Sequence, residues 1–164
     1  MPIRPAALAA LGLLAALPAA ARAPASLSAS GDAVVFTLSA TGVQVYECRR
    51  DATGALAWAF REPRATLLRN GRPAGMHGVG PVWAFDDGSR VTGRVVARTE
   101  APNATDIPWL RLEVAGHEGA GALAYVTHIQ RLNTRGGVLA GACQAAGAVA
   151  EVPYAADYVM LRNR

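Results

Sequence analysis

The chain has 164 residues and a formal net charge of +4, carried by 16 basic and 12 acidic residues. Every basic residue is an arginine, and apart from Arg49-Arg50 the arginines are scattered. This excludes the basic stripe with interleaved aromatics that a nucleic-acid surface requires. The length suits one hydrophobic core of ordinary size.

Taken in order, the chain opens on Met-Pro-Ile-Arg and an apolar run from Ala6 to Leu17, bounded by Pro18 and followed by Ala21-Arg22-Ala23. A short positive start, an apolar stretch and a small-x-small site predict a signal peptide over residues 1 to 23, cleaved to leave a mature chain from Pro24. The run falls short of the roughly 20 apolar residues a membrane-spanning helix needs, so no transmembrane segment is expected in the mature chain. Two arginines, Arg4 and Arg22, leave with this segment, and the mature net charge falls to +2.

Beyond it, no long window carries apolar residues at helical spacing, whereas short β-branched and aromatic runs alternate with glycine-rich breaks. Val34 to Leu38 and Val43 to Arg49 predict two strands joined across Ser39 to Gly42. Leu56 to Glu62 is a strand ended by Pro63, Thr66 to Arg69 a short one, and Asn70-Gly71 a hairpin turn. Val82 to Phe85 and Ser89 to Arg98 flank a second turn at Asp86-Asp87-Gly88. From Trp109 to Val114 the alternation puts Leu110, Leu112 and Val114 on the core side and Trp109, Arg111 and Glu113 opposite. Leu123 to Leu132 predicts a long strand, and Val152 to Leu161 the last one, with Pro153 near its start. The expectation is an all-β, single-domain antiparallel β-sandwich or closed β-barrel of about eight to ten strands over residues 24 to 164.

The mature chain holds two cysteines, Cys48 and Cys143. In an exported protein these predict a disulfide, for which the irregular stretch from Gly141 to Gly147 delivers Cys143. Neither has the neighbouring ligands of a zinc site. The three histidines, His77, His117 and His128, are also spaced too widely for one element to preorganise a metal. No metal and no cofactor is expected.

Several segments together carry a likeness: Gly42-Val-Gln-Val-Tyr-Glu-Cys48, Trp58-Ala-Phe60, His77-Gly-Val-Gly-Pro-Val-Trp83, Asp87-Gly-Ser89, Ile107-Pro-Trp-Leu110, Ile129-Gln-Arg-Leu-Asn-Thr-Arg-Gly-Gly137 and Val152-Pro-Tyr-Ala-Ala-Asp-Tyr158. In this order they resemble a family of secreted bacterial and fungal proteins known only as a domain of unknown function. The resemblance implies export, one domain and the two-cysteine pattern, and supplies no catalytic residues. Some fungal members carry a malate dehydrogenase label, which this sequence does not support because it lacks a Gly-rich dinucleotide turn between a strand and a helix.

Candidate binding residues are Tyr46, His77, Trp83 and Asp87. His77 sits in a loop entering a strand, a common binding position on a rigid β scaffold; its competing reading is a hydrogen bond to a nearby carbonyl that shapes the turn. Tyr46, Trp58, Trp83, Trp109, Tyr125, Tyr154 and Tyr158 offer flat rings for a groove. Gln44 shares a strand face with Tyr46 and Cys48, and if buried must find a partner, for which Gln130 and Asn133 are candidates. Arg131 with Asn133 and Thr134 has donors for an anion, but the stretch also reads as a strand ending in a glycine turn. The leading expectation is an exported β-domain, periplasmic or secreted, that binds a small molecule, glycan or envelope component without catalysis. The alternatives are a secreted hydrolase using His77 with Asp87 or Asp157, and a structural or partner-binding envelope protein acting through an exposed strand edge or apolar patch.

Overall fold

The computed structural model describes residues 23–163, so the expected signal peptide lies, but for Ala23, outside the described residues. A 3-10 turn at Ala25–Leu27 precedes eight strands: β1 (Asp32–Arg50), β2 (Leu56–Arg69), β3 (Arg72–Gly78), β4 (Val82–Phe85), β5 (Arg90–Thr99), β6 (Trp109–Glu118), β7 (His128–Gly136) and β8 (Val149–Asn163). Each strand pairs antiparallel with the next, and β8 pairs with β1. The architecture is therefore a closed up-and-down barrel and not a sandwich. Closure runs along most of β1, from Asp32 opposite Asn163 to Glu47 opposite Val149. It leaves no free β1 or β8 edge for a partner along that seam.

Where the expected turns carry the right residues, they form. Asn70 and Gly71 both adopt positive φ, at 53° and 75°, the pair that a two-residue hairpin with the strands' own twist requires. Two expected breaks do not occur. The predicted turn at Ser39 to Gly42 is absent because β1 is continuous. Gly42 is needed there for a different reason: a Cβ on it would lie 2.1 Å from the Arg64 carbonyl oxygen and 2.5 Å from Ala65 Cα. It lets β2 pass close. Pro63 does not end β2 either; it lies opposite Gln44 in the β1 register, two residues before β2 first meets β3 at Ala65. A residue with a partner strand on one side only tolerates the missing N–H.

The predicted strand from Leu123 is also shorter, since β7 begins at His128. Leu123 and Val126 instead lie in tight turns closed by Ala124 N–H to the Gly121 carbonyl and Val126 N–H to that of Leu123. Both side chains are fully buried. They plug one end of the barrel against Leu38, Leu67, Val91, Ile129 and Met160. Apolar residues that stopper a barrel read in sequence like those that line it.

The face of β6 opposite its leucines, expected to lie away from the core, is buried at Trp109 and Arg111. Trp109 packs with Leu27 and Leu132 in a second apolar cluster outside the barrel. Beside it, Arg111 is buried and donates to both Asp32 carboxylate oxygens, at 2.6 and 2.8 Å, and to the Leu27 carbonyl. The segment before β1 folds back over this face and makes it interior. Cys48 and Cys143 form the disulfide, with Cα atoms 5.9 Å apart, and the strap carrying Cys143 is held by its N–H to the Leu56 carbonyl.

Candidate functional site

The strands differ in length, and the difference opens the barrel at one place. β2 has 14 residues and β5 has 10, but β3 and β4 between them have only 7 and 4. β2 meets β3 only from Ala65 onward, and the β4 register with β5 stops at Thr92. The β3–β4 hairpin is thus a low wall between two tall ones. Behind it lies a cavity of about 570 Å³, within the usual range for small-molecule sites, roughly 300 to 1,000 Å³. Phe60 from β2 and Val95 from β5 stand at this end with half their surface exposed and also line the cavity.

Of the four candidate residues, Tyr46, His77 and Trp83 line this cavity and Asp87 does not. His77 and Trp83 are register partners across β3 and β4, and their rings stack 4.4 Å apart at 18°. Tyr158 from β8 meets both edge-on, at 5.1 and 5.4 Å. The indole fits because residue 93 is glycine: a Cβ there would come within 2.9 Å of the Trp83 ring. Tyr46 is anchored by its hydroxyl, which donates to the Gly137 carbonyl at 2.7 Å, and its ring meets Phe60 edge-on.

His77 is 3% exposed, and its Nδ1 lies 2.8 Å from the Val82 carbonyl oxygen. A carbonyl can only accept, so Nδ1 carries the proton and Nε2 is the lone-pair nitrogen. Burial, with a smaller push from the Arg131 charge, outweighs the Val82 bond and lowers its pKa to about 4. His77 is therefore neutral near pH 7. It lies within β3 and not in a loop entering a strand as expected, while the bond to a nearby carbonyl expected as the competing reading is present, in a side chain that also lines the cavity.

The carboxylates that a hydrolase would pair with His77 are engaged elsewhere. Asp87 sits in the turn at the far end of β4, where it accepts from Ser89 N–H and Oγ and from Ala122 N–H; these bonds hold its carboxyl below the ordinary range. It ties the β4–β5 turn to the plug. Asp157 accepts from Asn133 Nδ2 at 2.7 Å. No Asp or Glu lines the cavity among the described residues, and no group of three or more His, Cys, Asp or Glu could hold a metal there.

Gln44 is 2% exposed and lines the cavity, but the partners expected for it are occupied: Gln130 Nε2 donates to the Leu27 carbonyl, and Asn133 to Asp157. Gln44 Nε2, Trp83 Nε1 and Tyr158 OH all lack a hydrogen-bond partner. Each is buried, and each belongs to a cavity-lining residue. Tyr154 OH is likewise unpartnered, and burial together with the adjacent Tyr158 raises its pKa strongly.

Of the Arg131, Asn133 and Thr134 set, only Arg131 reaches the cavity. Thr134 Oγ1 donates to the Ile107 carbonyl, while Arg131 Nε and Nη2 both donate to that of Pro108. Arg61 and Arg98 complete the cationic lining. These two, with Phe60 and Val95, escape sequence reading because alternation tells inward from outward and not which end of a barrel is open.

No curated protein and no solved structure matches the chain. A family model described as Protein of unknown function (DUF3455) matches residues 29–75 and 69–162, and the chain belongs to that family.

Proposed function

We propose that this is an exported barrel protein that holds a small molecule in its open end and does not transform it. One observation carries the reading: three buried side chains with unpartnered polar atoms, Gln44, Trp83 and Tyr158, line the same cavity. An unmet buried hydrogen-bonding group costs about 1 to 3 kcal/mol, and a ligand that meets all three recovers that cost. The stacked His77 and Trp83 offer an apolar wall. The absence of a lining carboxylate among the described residues favours holding over hydrolysis.

Export rests on the N-terminal pattern and is consistent with the Cys48–Cys143 bond, which persists in oxidising compartments. No described helix is long and apolar enough to cross a membrane. Binding is tested by ligand-observed NMR of the mature chain against small molecules and soluble glycans, repeated with Trp83→Leu. Ligands lost in the variant are the expected result; a screen with no hits, or hits indifferent to Trp83, overturns the reading. Export is tested by N-terminal sequencing of the protein recovered from outside the cytoplasm, with Pro24 expected; a chain that keeps Met1 overturns it.

A further inference from the structure

Building on the small-molecule reading, we infer that the ligand is an organic acid, a carboxylate carried on an apolar aryl or alkyl body.

The unpartnered groups share one chemical property. Gln44 Nε2 and Trp83 Nε1 are N–H donors that cannot accept, and Tyr158 OH has a proton to give. A ligand that meets them must be rich in acceptors. The charge of the lining agrees: Arg61, Arg98 and Arg131 are present and no acidic residue is. Arg61 and Arg98 are exposed and have Glu62 and Glu100 beside them, at 3.5 and 3.1 Å. Arg131 is different. It is partly buried, makes no salt bridge among the described residues, and spends Nε and Nη2 on a neutral carbonyl, leaving Nη1 uncommitted.

Its positive charge also reaches the interior: burial lowers the His77 pKa and Arg131 lowers it further, whereas burial raises the Tyr158 pKa and Arg131 opposes that rise. An unpaired guanidinium near buried donors stabilises a carboxylate, which accepts charge-assisted bonds from both kinds of group. The rest of the lining is apolar or aromatic, including Phe60, Leu112 and the His77–Trp83 stack. A purely inorganic anion would leave that surface unused, and a neutral glycan would leave Arg131 uncompensated. An acid with an apolar body meets both halves of the cavity.

The test uses matched pairs that differ only in charge: naphthaleneacetate against naphthaleneacetamide, and octanoate against octanamide. Binding to the mature protein is measured by isothermal titration calorimetry near pH 7.5 at low salt. Each acid is expected to bind about tenfold or more tightly than its amide, the size of a charge-assisted hydrogen bond. Arg131→Gln should abolish that preference, weakening the acid far more than the amide. Should Arg131→Gln fail to fold, Tyr158→Phe keeps the ring packing and is expected to weaken the acid by several-fold. Amides that bind as well as acids overturn the organic-acid inference and leave the small-molecule reading standing. Failure of all four compounds to bind overturns the organic-acid inference, while the small-molecule reading falls only with an empty NMR screen.

Discussion

Acidification should destabilise the barrel through His77, by an amount that follows from its surroundings. Burial holds its folded pKa at about 4, against an ordinary value of 6.5. As pH falls, the unfolded chain therefore takes up the proton first. The stabilising contribution of the neutral ring is complete above about pH 6.5, is lost as pH drops toward the folded value, and changes no further below it. Between about pH 7.5 and 4.5 these two constants give a loss of about 2.5 kcal/mol, a large share of the roughly 5 to 15 kcal/mol that holds a typical domain together. The comparison protein is His77→Phe, which keeps a flat ring against Trp83 and cannot be protonated. Asp32, whose carboxyl Arg111 holds below its ordinary range, loses its contribution at still lower pH and does so in both proteins. Urea unfolding followed by tryptophan fluorescence should show the wild-type stability falling more steeply by that amount. Parallel pH profiles would refute the claim that His77 is buried without a compensating charge.

Three further outcomes are expected. Replacing Cys48 and Cys143 by Ala removes a link between residues 95 apart in sequence, which the chain-entropy model values at about 4.7 kcal/mol; equilibrium unfolding should show the lower midpoint, with the strand signature retained in circular dichroism. Asp32→Asn leaves Arg111 buried without its counter-charge, so a loss of about 3 to 5 kcal/mol is expected by urea unfolding, while Asp32→Asn combined with Arg111→Met should be less damaging than the single change. Asp87→Ala removes three accepted bonds at the plugged end and should lower stability by on the order of 1 kcal/mol without changing naphthaleneacetate affinity, because the cavity is at the other end of β4; a matching drop in affinity would place Asp87 in the site after all.

The parts of the fold legible in sequence are those set by local rules. Alternation marks strand-forming segments, and Asn70-Gly71 and Asp86-Asp87-Gly88 mark hairpins because only certain residues take positive φ readily. The disulfide follows from two cysteines and an N-terminal pattern that reads as an export signal. What sequence misreads is decided by contact between distant segments. Gly42 looks like a turn residue but serves a close approach of β2. Pro63 looks like a stop, yet sits where β2 has one neighbour. Arg111 looks solvated until the chain before β1 covers it. In the candidate site, Tyr46, His77 and Trp83 come together as the sequence suggests, although His77 reads as a loop residue and lies in β3, because Gly75 and Gly78 beside it look like loop and not strand. The partners expected for Gln44 failed because they face other neighbours, which no single strand reveals.

The position of the cavity has a structural cause that also accounts for its polarity. A barrel with eight strands of equal length fills its interior with side chains. Here the β3–β4 hairpin is short, so the wall beside His77 and Trp83 is missing the side chains that a longer hairpin would send inward and outward at the level of Phe60 and Val95. This is where Gln44 and Tyr158 keep donors without partners, whereas at the plugged end Ser89, equally buried, both donates to Asp87 and accepts from Leu123 N–H. A barrel selected for stability alone would have satisfied or replaced the polar groups at both ends, since the substitution of Phe for Tyr158 would remove an unmet hydroxyl from the core. Trp109 Nε1, in the cluster outside the barrel, and Tyr154 OH are unpartnered as well, but Gln44, Trp83 and Tyr158 gather at one cavity, as an interior shaped around a bound acceptor requires, and this predicts that Tyr158→Phe gains stability in the free protein while losing affinity for the acid.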